Sequence, residues 1–136
     1  MSSRATEVNT SGGLSRIANT VATTGVSRAS RENPIVRTMV RHLVSHTTKQ
    51  GYALACRALA NADPWQPDKL GDLDVDVLLL AGEEDYLVKP DAVATLAKAG
   101  SRFECQVLPA VGHWGALEAP EQVGQALASF LMVVDR

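Results

Sequence analysis

Two loops of the sequence carry residues that could act together in acid–base chemistry. Asp85 lies just beyond a predicted buried strand over residues 75–81, and His113 follows Gly112 beyond a second predicted strand over residues 103–108. Parallel strands would place both loops at one edge of a sheet, where the sites of open α/β folds lie. A carboxylate there fixes the tautomer of an imidazole and stabilises its protonated form. The spacing therefore predicts a carboxylic acid, Asp85, paired with a general base, His113.

The elements that must position this pair form a βαβα unit. A helix is predicted over residues 91–99, after Pro90 and before Gly100, and a last helix begins near Pro120. The first strand is predicted to be buried on both faces, since its polar–apolar alternation disappears. The last helix is predicted to bury one apolar face: Val123, Ala126, Leu127, Phe130, Leu131 and Val134.

The sequence before this unit is predicted to be helical. Helices are expected over residues 11–20, from residue 32 or 33 with Pro34 in the first turn, and over residues 52–61 after a break at Gly51. The Pro- and Asp-rich stretch 63–68 predicts a boundary, which divides the chain into a helical segment, 1–63, and a βαβα segment, 64–136. Two strands rarely form a stable sheet alone. We therefore expect the helical segment to cover the first strand's edge, or further strands to belong upstream.

Composition narrows the classes of function. The chain has 136 residues, a net charge of −2 and 46% hydrophobic residues, without the clustered Lys and Arg of a nucleic-acid surface. Its first residues lack the apolar core of a secretory signal, and no apolar run is long enough for a membrane span. Two widely spaced cysteines favour reduced thiols. We expect a cytoplasmic protein that binds neither nucleic acid nor membrane.

At these two loops the sequence resembles the C-terminal portion of α/β-hydrolases. The family pattern P-x-L-x-x-x-G-x-x-D-x-x-V is matched up to Val88, with Asp76 in place of its proline. The Gly-His step and the pattern E-x-P-E-x-V-x-x-x-L-x-x-F-L follow, the latter from Glu118 to Leu131. The resemblance implies a Ser–Asp–His mechanism with Asp85 as the acid and His113 as the base, in the family's order along the chain. It implies an α/β fold, no metal and no organic cofactor.

The helical segment has a narrower resemblance. Residues 51–63 resemble the last cap helix of 3-oxoadipate enol-lactone hydrolases, in which a helical cap lies between the sixth and seventh strands. The resemblance implies that this chain combines a cap with the last two strands of the hydrolase fold. It also implies a small ester or lactone as substrate.

No G-x-S-x-G nucleophile motif is present. The nearest match, residues 25–29, would make Ser27 the nucleophile, but residues 18–24 are too polar for the buried strand that such a motif follows. We interpret Ser27 as a solvated cap or loop serine. The sequence predicts part of a serine hydrolase whose nucleophile and oxyanion hole lie outside this chain, inactive alone. The alternative is a non-catalytic module that self-associates or docks through uncovered apolar surface.

Other polar residues have simpler interpretations. Glu83 and Glu84 are expected to form an exposed acidic loop. His42 and His46 have i, i+4 spacing that could hold a metal, but without the Glu of an H-E-x-x-H motif a solvated or packing pair is favoured. The remaining expectations are surface charge for Arg37, Arg41 and Arg57, buried hydrophobic packing for Cys56 and Cys105, and packing beside the histidine for Trp114.

Overall fold

The computed structural model describes residues 2–62 and 72–134. Residues 2–62, the helical region, contain α1 (Ser2–Glu7), α2 (Gly13–Thr24), α3 (Arg28–Arg31), α4 (Pro34–Ser45) and α5 (Lys49–Asn61). Residues 72–134, the strand region, contain β1 (Val77–Gly82), α6 (Pro90–Ala97), β2 (Phe103–Leu108), α7 (Gly115–Glu118) and α8 (Pro120–Val134). The predicted boundary at residues 63–68 lies outside the described residues.

Side-chain caps decide where α4 and α5 begin. The Asn33 side chain accepts hydrogen bonds from the N–H groups of Ile35 and Val36, at 3.0 and 3.3 Å, and Pro34 occupies the first turn as the sequence predicts. Thr48 accepts from the N–H of Gly51 at 3.0 Å, which starts α5 at Lys49. The predicted break at Gly51 is therefore wrong, because this glycine lies in the first turn of the capped helix.

The remaining helices depart further from the sequence prediction. α2 continues to Thr24 rather than ending at residue 20, and the short helices α1 and α3 were not predicted. α3 has four residues and begins where Ser27 accepts a hydrogen bond from the N–H of Ser30. Helices this short carry no periodic apolar stripe, so their sequences do not distinguish them from turns.

The main apolar core lies in the helical region. Its buried members come from α2, α4 and α5 and from the segments on either side of α2: Val8, Ile17, Ala18, Val21, Ala22, Val26, Val36, Val40, Val44 and Ala53. Leu117 and Trp114 of the strand region pack against this core. The two regions therefore share an interface at the loops that carry the predicted pair.

The strand region has a parallel two-stranded sheet. β1 pairs with β2 from Val77 opposite Phe103 to Gly82 opposite Leu108, and α6 makes the crossover between them. The fold class is thus confirmed: a helical segment is followed by a βαβα unit with two parallel strands. Because the strands are parallel and in register, both of their C-terminal ends open into the same space.

Burial within the strand region is lower than the sequence predicts. Val77 through Leu80 are only partly buried, and full burial begins at Ala81 and Gly82. The predicted apolar face of α8 is only partly covered: Ala126 is buried, but Leu127 and Leu131 are 45% and 56% exposed. Both predictions overstate burial for the same reason. Within the described residues no third strand or further helix covers these surfaces.

Among residues 2–62 and 72–134, every helix is too short or too polar to cross a lipid bilayer.

Candidate active site

The structure brings Asp85 and His113 into direct contact. Nδ1 of His113 lies 2.8 Å from Oδ2 of Asp85, at the C-terminal ends of β1 and β2. The other carboxylate oxygen, Oδ1, accepts the N–H groups of Leu87 and Val88 at 2.8 and 3.0 Å. Since both carboxylate oxygens act as acceptors, this hydrogen bond assigns a proton to Nδ1, so in the neutral imidazole the lone pair is on Nε2. That is the tautomer required of a general base.

Local backbone geometry explains why the two loops approach so closely. A Cβ atom at Gly82 would collide with the carbonyl oxygens of Val111 and Gly112, so glycine permits the contact between the loops. After Gly82 the chain turns, with the N–H of Asp85 donating to the carbonyl of Gly82 at 3.1 Å. Asp85 then closes the next turn through its own side chain, as Asp commonly does in loops.

The two side chains of the pair differ in exposure. The Asp85 side chain is 8% exposed, whereas that of His113 is 37% exposed. A cavity of about 220 Å³ adjoins them and is lined in part by Leu80, Ala116 and Val123. A larger cavity of about 340 Å³ lies by α1 and α5, but its lining includes neither member of the pair. The smaller cavity is therefore the one where the acid–base chemistry could act.

Three glutamates, Glu83, Glu84 and Glu118, accept hydrogen bonds that brace the loops. Glu83 is exposed, as the sequence predicts, whereas Glu84 is partly buried. Oε2 of Glu83 accepts the N–H of Ala110 at 2.9 Å, and Ala110 has a left-handed backbone with φ 58°. Such a backbone is unfavourable for alanine, so this hydrogen bond supports a strained turn before His113.

Glu84 connects the acid loop to the helical region. Its Oε2 accepts the backbone N–H of Arg28 at 2.7 Å, and its Oε1 lies 3.1 and 3.0 Å from the Arg28 guanidinium nitrogens Nε and Nη2. The hydrogen bond from the Arg28 backbone, with those from its guanidinium, lowers the pKa of the Glu84 carboxyl below its usual value. Glu84 directly precedes Asp85, so this link ties the acid to α3.

Glu118 was not singled out by sequence reasoning. Its carboxylate accepts the N–H groups of Ser27, Gly112 and Trp114, at 2.7, 3.2 and 2.9 Å. The only signal for it in the sequence is its place as the first Glu of the E-x-P-E pattern. The nearby Trp114 packs edge-on to His113, with ring centroids 6.1 Å apart, in keeping with the predicted packing role.

Ser27 differs from its predicted environment. It is 1% exposed rather than solvated, and its hydroxyl donates to Oγ of Ser30 at 3.1 Å. The same hydroxyl accepts the N–H of Ser30. Within the described part of the chain, Ser27 is thus committed to capping α3 and is not bonded to His113.

The other polar candidates lie away from the pair. His42 and His46 stack with ring centroids 3.8 Å apart, and Nδ1 of His46 lies 2.9 Å from the carbonyl oxygen of His42. Cys56 is buried and Cys105 partly buried, both as free thiols. Arg41 and Arg57 are exposed, whereas Arg37 is partly buried. Residues 2–62 and 72–134 contain no group of three metal-ligating side chains.

Solved structures with similar folds are esterases and lactonases. An esterase from Thermogutta terrifontis, with malate bound, has a TM-score of 0.85 and 26% identity, and the match covers 98% of this chain and 48% of that one. An enol-lactonase from Burkholderia xenovorans LB400 has a TM-score of 0.84 and 26% identity, covering 96% of this chain and 49% of that one. This chain has the fold of the C-terminal portion of an α/β-hydrolase.

A third solved structure supports the similarity of this chain to part of a hydrolase. Est816, described as an N-acyl homoserine lactone degrading enzyme, matches 88% of this chain and 46% of its own at 25% identity, with a TM-score of 0.64. The chain spans about half the length of each of these structures. No protein-family model and no curated protein sequence matches it. The predicted resemblance is confirmed for the fold, while the catalytic roles of Asp85 and His113 stay predictions.

Proposed function

We propose that this chain supplies the acid and the general base of a serine hydrolase that acts on a small ester or lactone. The observation that carries the proposal is the 2.8 Å hydrogen bond between Nδ1 of His113 and the buried carboxylate of Asp85, at the C-terminal ends of two parallel strands. The similarity to an esterase and to an enol-lactonase supports this class of substrate.

In the proposed reaction, His113 moves protons and Asp85 orients it. A serine hydroxyl attacks the acyl carbon while its proton passes to Nε2 of His113, which then gives the proton to the leaving alkoxide. Water opens the acyl-serine, again through Nε2, and the serine is restored. Asp85 holds the Nδ1–H tautomer and stabilises the imidazolium that forms. The chemistry requires no metal or organic cofactor.

We propose that the nucleophile and the oxyanion hole come from outside residues 1–136. The hydroxyl of Ser27 is engaged in capping α3, and the sequence contains no G-x-S-x-G motif. The helical region is proposed to act as the cap of this hydrolase. The contacts of Arg28 with Glu84 and of the His113 N–H with the carbonyl of Gly25, which join the helical region to both loops of the pair, support this proposal.

The experiment expresses residues 1–136 alone and also joined to the coding sequence that precedes them in the genome. The proposal expects that sequence to encode a strand, a G-x-S-x-G turn and a helix. The joined protein is expected to hydrolyse p-nitrophenyl acetate, and His113→Ala to lower kcat/KM by roughly 10³- to 10⁴-fold. Residues 1–136 alone are expected to give no turnover above buffer.

A matched control is His46→Ala, which removes an exposed histidine of the helical region. It is expected to leave kcat/KM unchanged. An unaffected His113→Ala variant would contradict the role of His113. Turnover by residues 1–136 alone that disappears with His113→Ala would instead show that the nucleophile lies within this chain.

A non-catalytic interaction module is the second candidate, and one observation favours it. The end of α8 exposes consecutive apolar side chains, with Leu131 at 56% and Met132 and Val133 at 68% each. Surface of this kind drives association. If no catalytic segment precedes the chain, sedimentation of residues 1–136 should show a mass that rises with concentration. A monomer at all concentrations would contradict this second function.

A further inference from the structure

The environment of Glu118 suggests a role beyond the packing of its loop. Two of the three N–H groups that its carboxylate accepts belong to Gly112 and Trp114, the residues on either side of His113. The third belongs to Ser27, 91 residues earlier in the chain. One carboxylate therefore connects the histidine loop to the first residue before α3.

The backbone N–H of His113 is also bound by the helical region. Its N–H donates to the carbonyl oxygen of Gly25 at 3.1 Å. Three consecutive N–H groups, from residues 112 to 114, are thus bound by Glu118, Gly25 and Glu118 in turn. The imidazole has only two rotatable bonds between its ring and this backbone, so the position of the backbone decides whether Nδ1 reaches Asp85.

Space at this contact is minimal. A Cβ atom at Gly112 would lie 2.5 Å from the Ser27 nitrogen and 2.9 Å from Oε1 of Glu118. Three donors converge on a partly buried group, and a carboxylate satisfies them with charge-assisted hydrogen bonds. An amide of the same shape has a single acceptor oxygen and would turn its own N–H₂ toward at least one of these donors.

We propose that Glu118 is a positioning residue for His113, and that it makes the His113–Asp85 geometry depend on the seating of residues 25–28 against the strand region. The inference rests on the proposed function, because it assigns a catalytic purpose to this hydrogen-bond network. A shift of α3 away from the loops would loosen Ser27 from Glu118, release the backbone on both sides of His113, and weaken its contact with Asp85.

The test compares Glu118→Gln with Glu121→Gln, a variant of an exposed glutamate on α8. Residues 1–136 are labelled with ¹⁵N-histidine, and His113 is assigned by comparison with His113→Ala. The ¹⁵N shifts report which ring nitrogen carries the proton, and the Nδ1–H signal reports exchange with water. Glu118→Gln is expected to speed Nδ1–H exchange about tenfold and to increase the Nε2–H tautomer. Glu121→Gln is expected to match the unmodified chain.

A second pair of variants reaches the same link from the helical region. Ser27 has φ −62°, which proline adopts. In Ser27→Pro the ring Cδ replaces the N–H donor and would displace the Glu118 carboxylate, whose Oε2 lies 2.7 Å from that nitrogen, so the variant breaks this link. Ser27→Ala removes the hydroxyl but keeps the N–H. The proposal expects faster Nδ1–H exchange with Ser27→Pro and an unchanged rate with Ser27→Ala. This pair also serves if Glu118→Gln does not fold.

Thermal unfolding measured on the same samples separates positioning from simple bracing. If Glu118→Gln or Ser27→Pro lowers the midpoint while the His113 tautomer and exchange rate stay as in the unmodified chain, Glu118 only stabilises the loop and the proposal is overturned. None of these measurements uses turnover. Suppose that the hydrolase assay fails but the His113 signal still depends on Glu118. The proposed function would then be rejected, while the positioning of His113 by Glu118 would stand.

Discussion

The helical region and the strand region differ in how completely they bury their apolar residues. The helical region encloses a continuous core, in which Val8, Ala18 and Val40 are fully buried. In the strand region buried apolar side chains are few among the described residues: Ala81, Leu108, Val111 and Ala126. The sequence nevertheless predicted β1, β2, α6 and α8 more closely than it predicted the elements of the helical region. Correct helices and strands therefore do not imply a completed core.

The difference follows from how each kind of element satisfies its backbone. A helix closes its hydrogen bonds within its own segment, so α2 and α4 need only each other to bury one stripe apiece. A strand needs a neighbour on each edge and a layer on each face. β1 has one paired edge, with β2, and its residues from Val77 to Leu80 stay partly exposed. Hydrogen bonds to Glu84 and Glu118 join the strand region to the helical region instead.

The junction between the two regions should give the largest effect. Gly112→Ala would place a methyl group 2.5 Å from the Ser27 nitrogen and 2.8 Å from the carbonyl carbon of Val26. We expect the free energy of unfolding to fall by about 2–3 kcal/mol, the usual cost of overpacking a tight contact. Urea denaturation followed by circular dichroism and by tryptophan fluorescence would measure it.

The control for this variant is Gly124→Ala, since a Cβ at Gly124 meets no atom within 4 Å. Alanine is the better helix former, so this variant should raise the free energy of unfolding by about 0.5–1 kcal/mol. A Gly112→Ala variant as stable as the unmodified chain would mean that the two regions are not pressed together at this glycine.

Two truncations to alanine, one in each region, test the difference in burial between the helical region and the strand region. Val40 is 0% exposed and Leu131 is 56% exposed. Val40→Ala should lower the free energy of unfolding by about 2 kcal/mol through lost burial and a cavity, whereas Leu131→Ala should cost less than about 0.5 kcal/mol. Urea midpoints at low protein concentration would compare them. A larger loss for Leu131→Ala would reverse the comparison, because it would show that the α8 face is covered in solution.

The smallest effect concerns pH. The hydrogen bonds from Arg28 lower the pKa of Glu84 in the folded chain, so its ionised form is stabilised by folding. That contribution is present above the unfolded value, near pH 4.3, and is lost as the pH falls through the lower folded value. Glu84→Gln should therefore lower the unfolding midpoint at pH 7, and the difference from the unmodified chain should shrink as the pH falls below about 4.

Glu104→Gln, at an exposed position on β2, is the matched control and should show little pH-dependent difference. If Glu84→Gln lowers the unfolding midpoint by the same amount in strong acid, the side-chain packing of Glu84, rather than its charge, stabilises the contact with α3.

Local patterns in the sequence determined most of the element order. The Asn33–Pro34 start of α4, the strand over residues 103–108 and the start of the last helix at Pro120 were all predicted, because caps, proline and apolar periodicity act within a few residues. The proximity of the Asp85 and His113 loops followed from topology, since parallel strands bring both loops to one edge of the sheet whatever covers it.

Only the tertiary structure decided which residues are buried and which hydrogen bonds support the loops of the site. The exposure of β1 and α8 depends on which elements lie beside them, and hydrophobicity along the chain carries no information on that. The roles of Glu84 and Glu118 depend on the backbone N–H donors of Arg28 and Ser27, which lie 56 and 91 residues away in sequence. Every residue except proline has such a donor, so no residue type marks the partner, and only the folded backbone brings donor and carboxylate together.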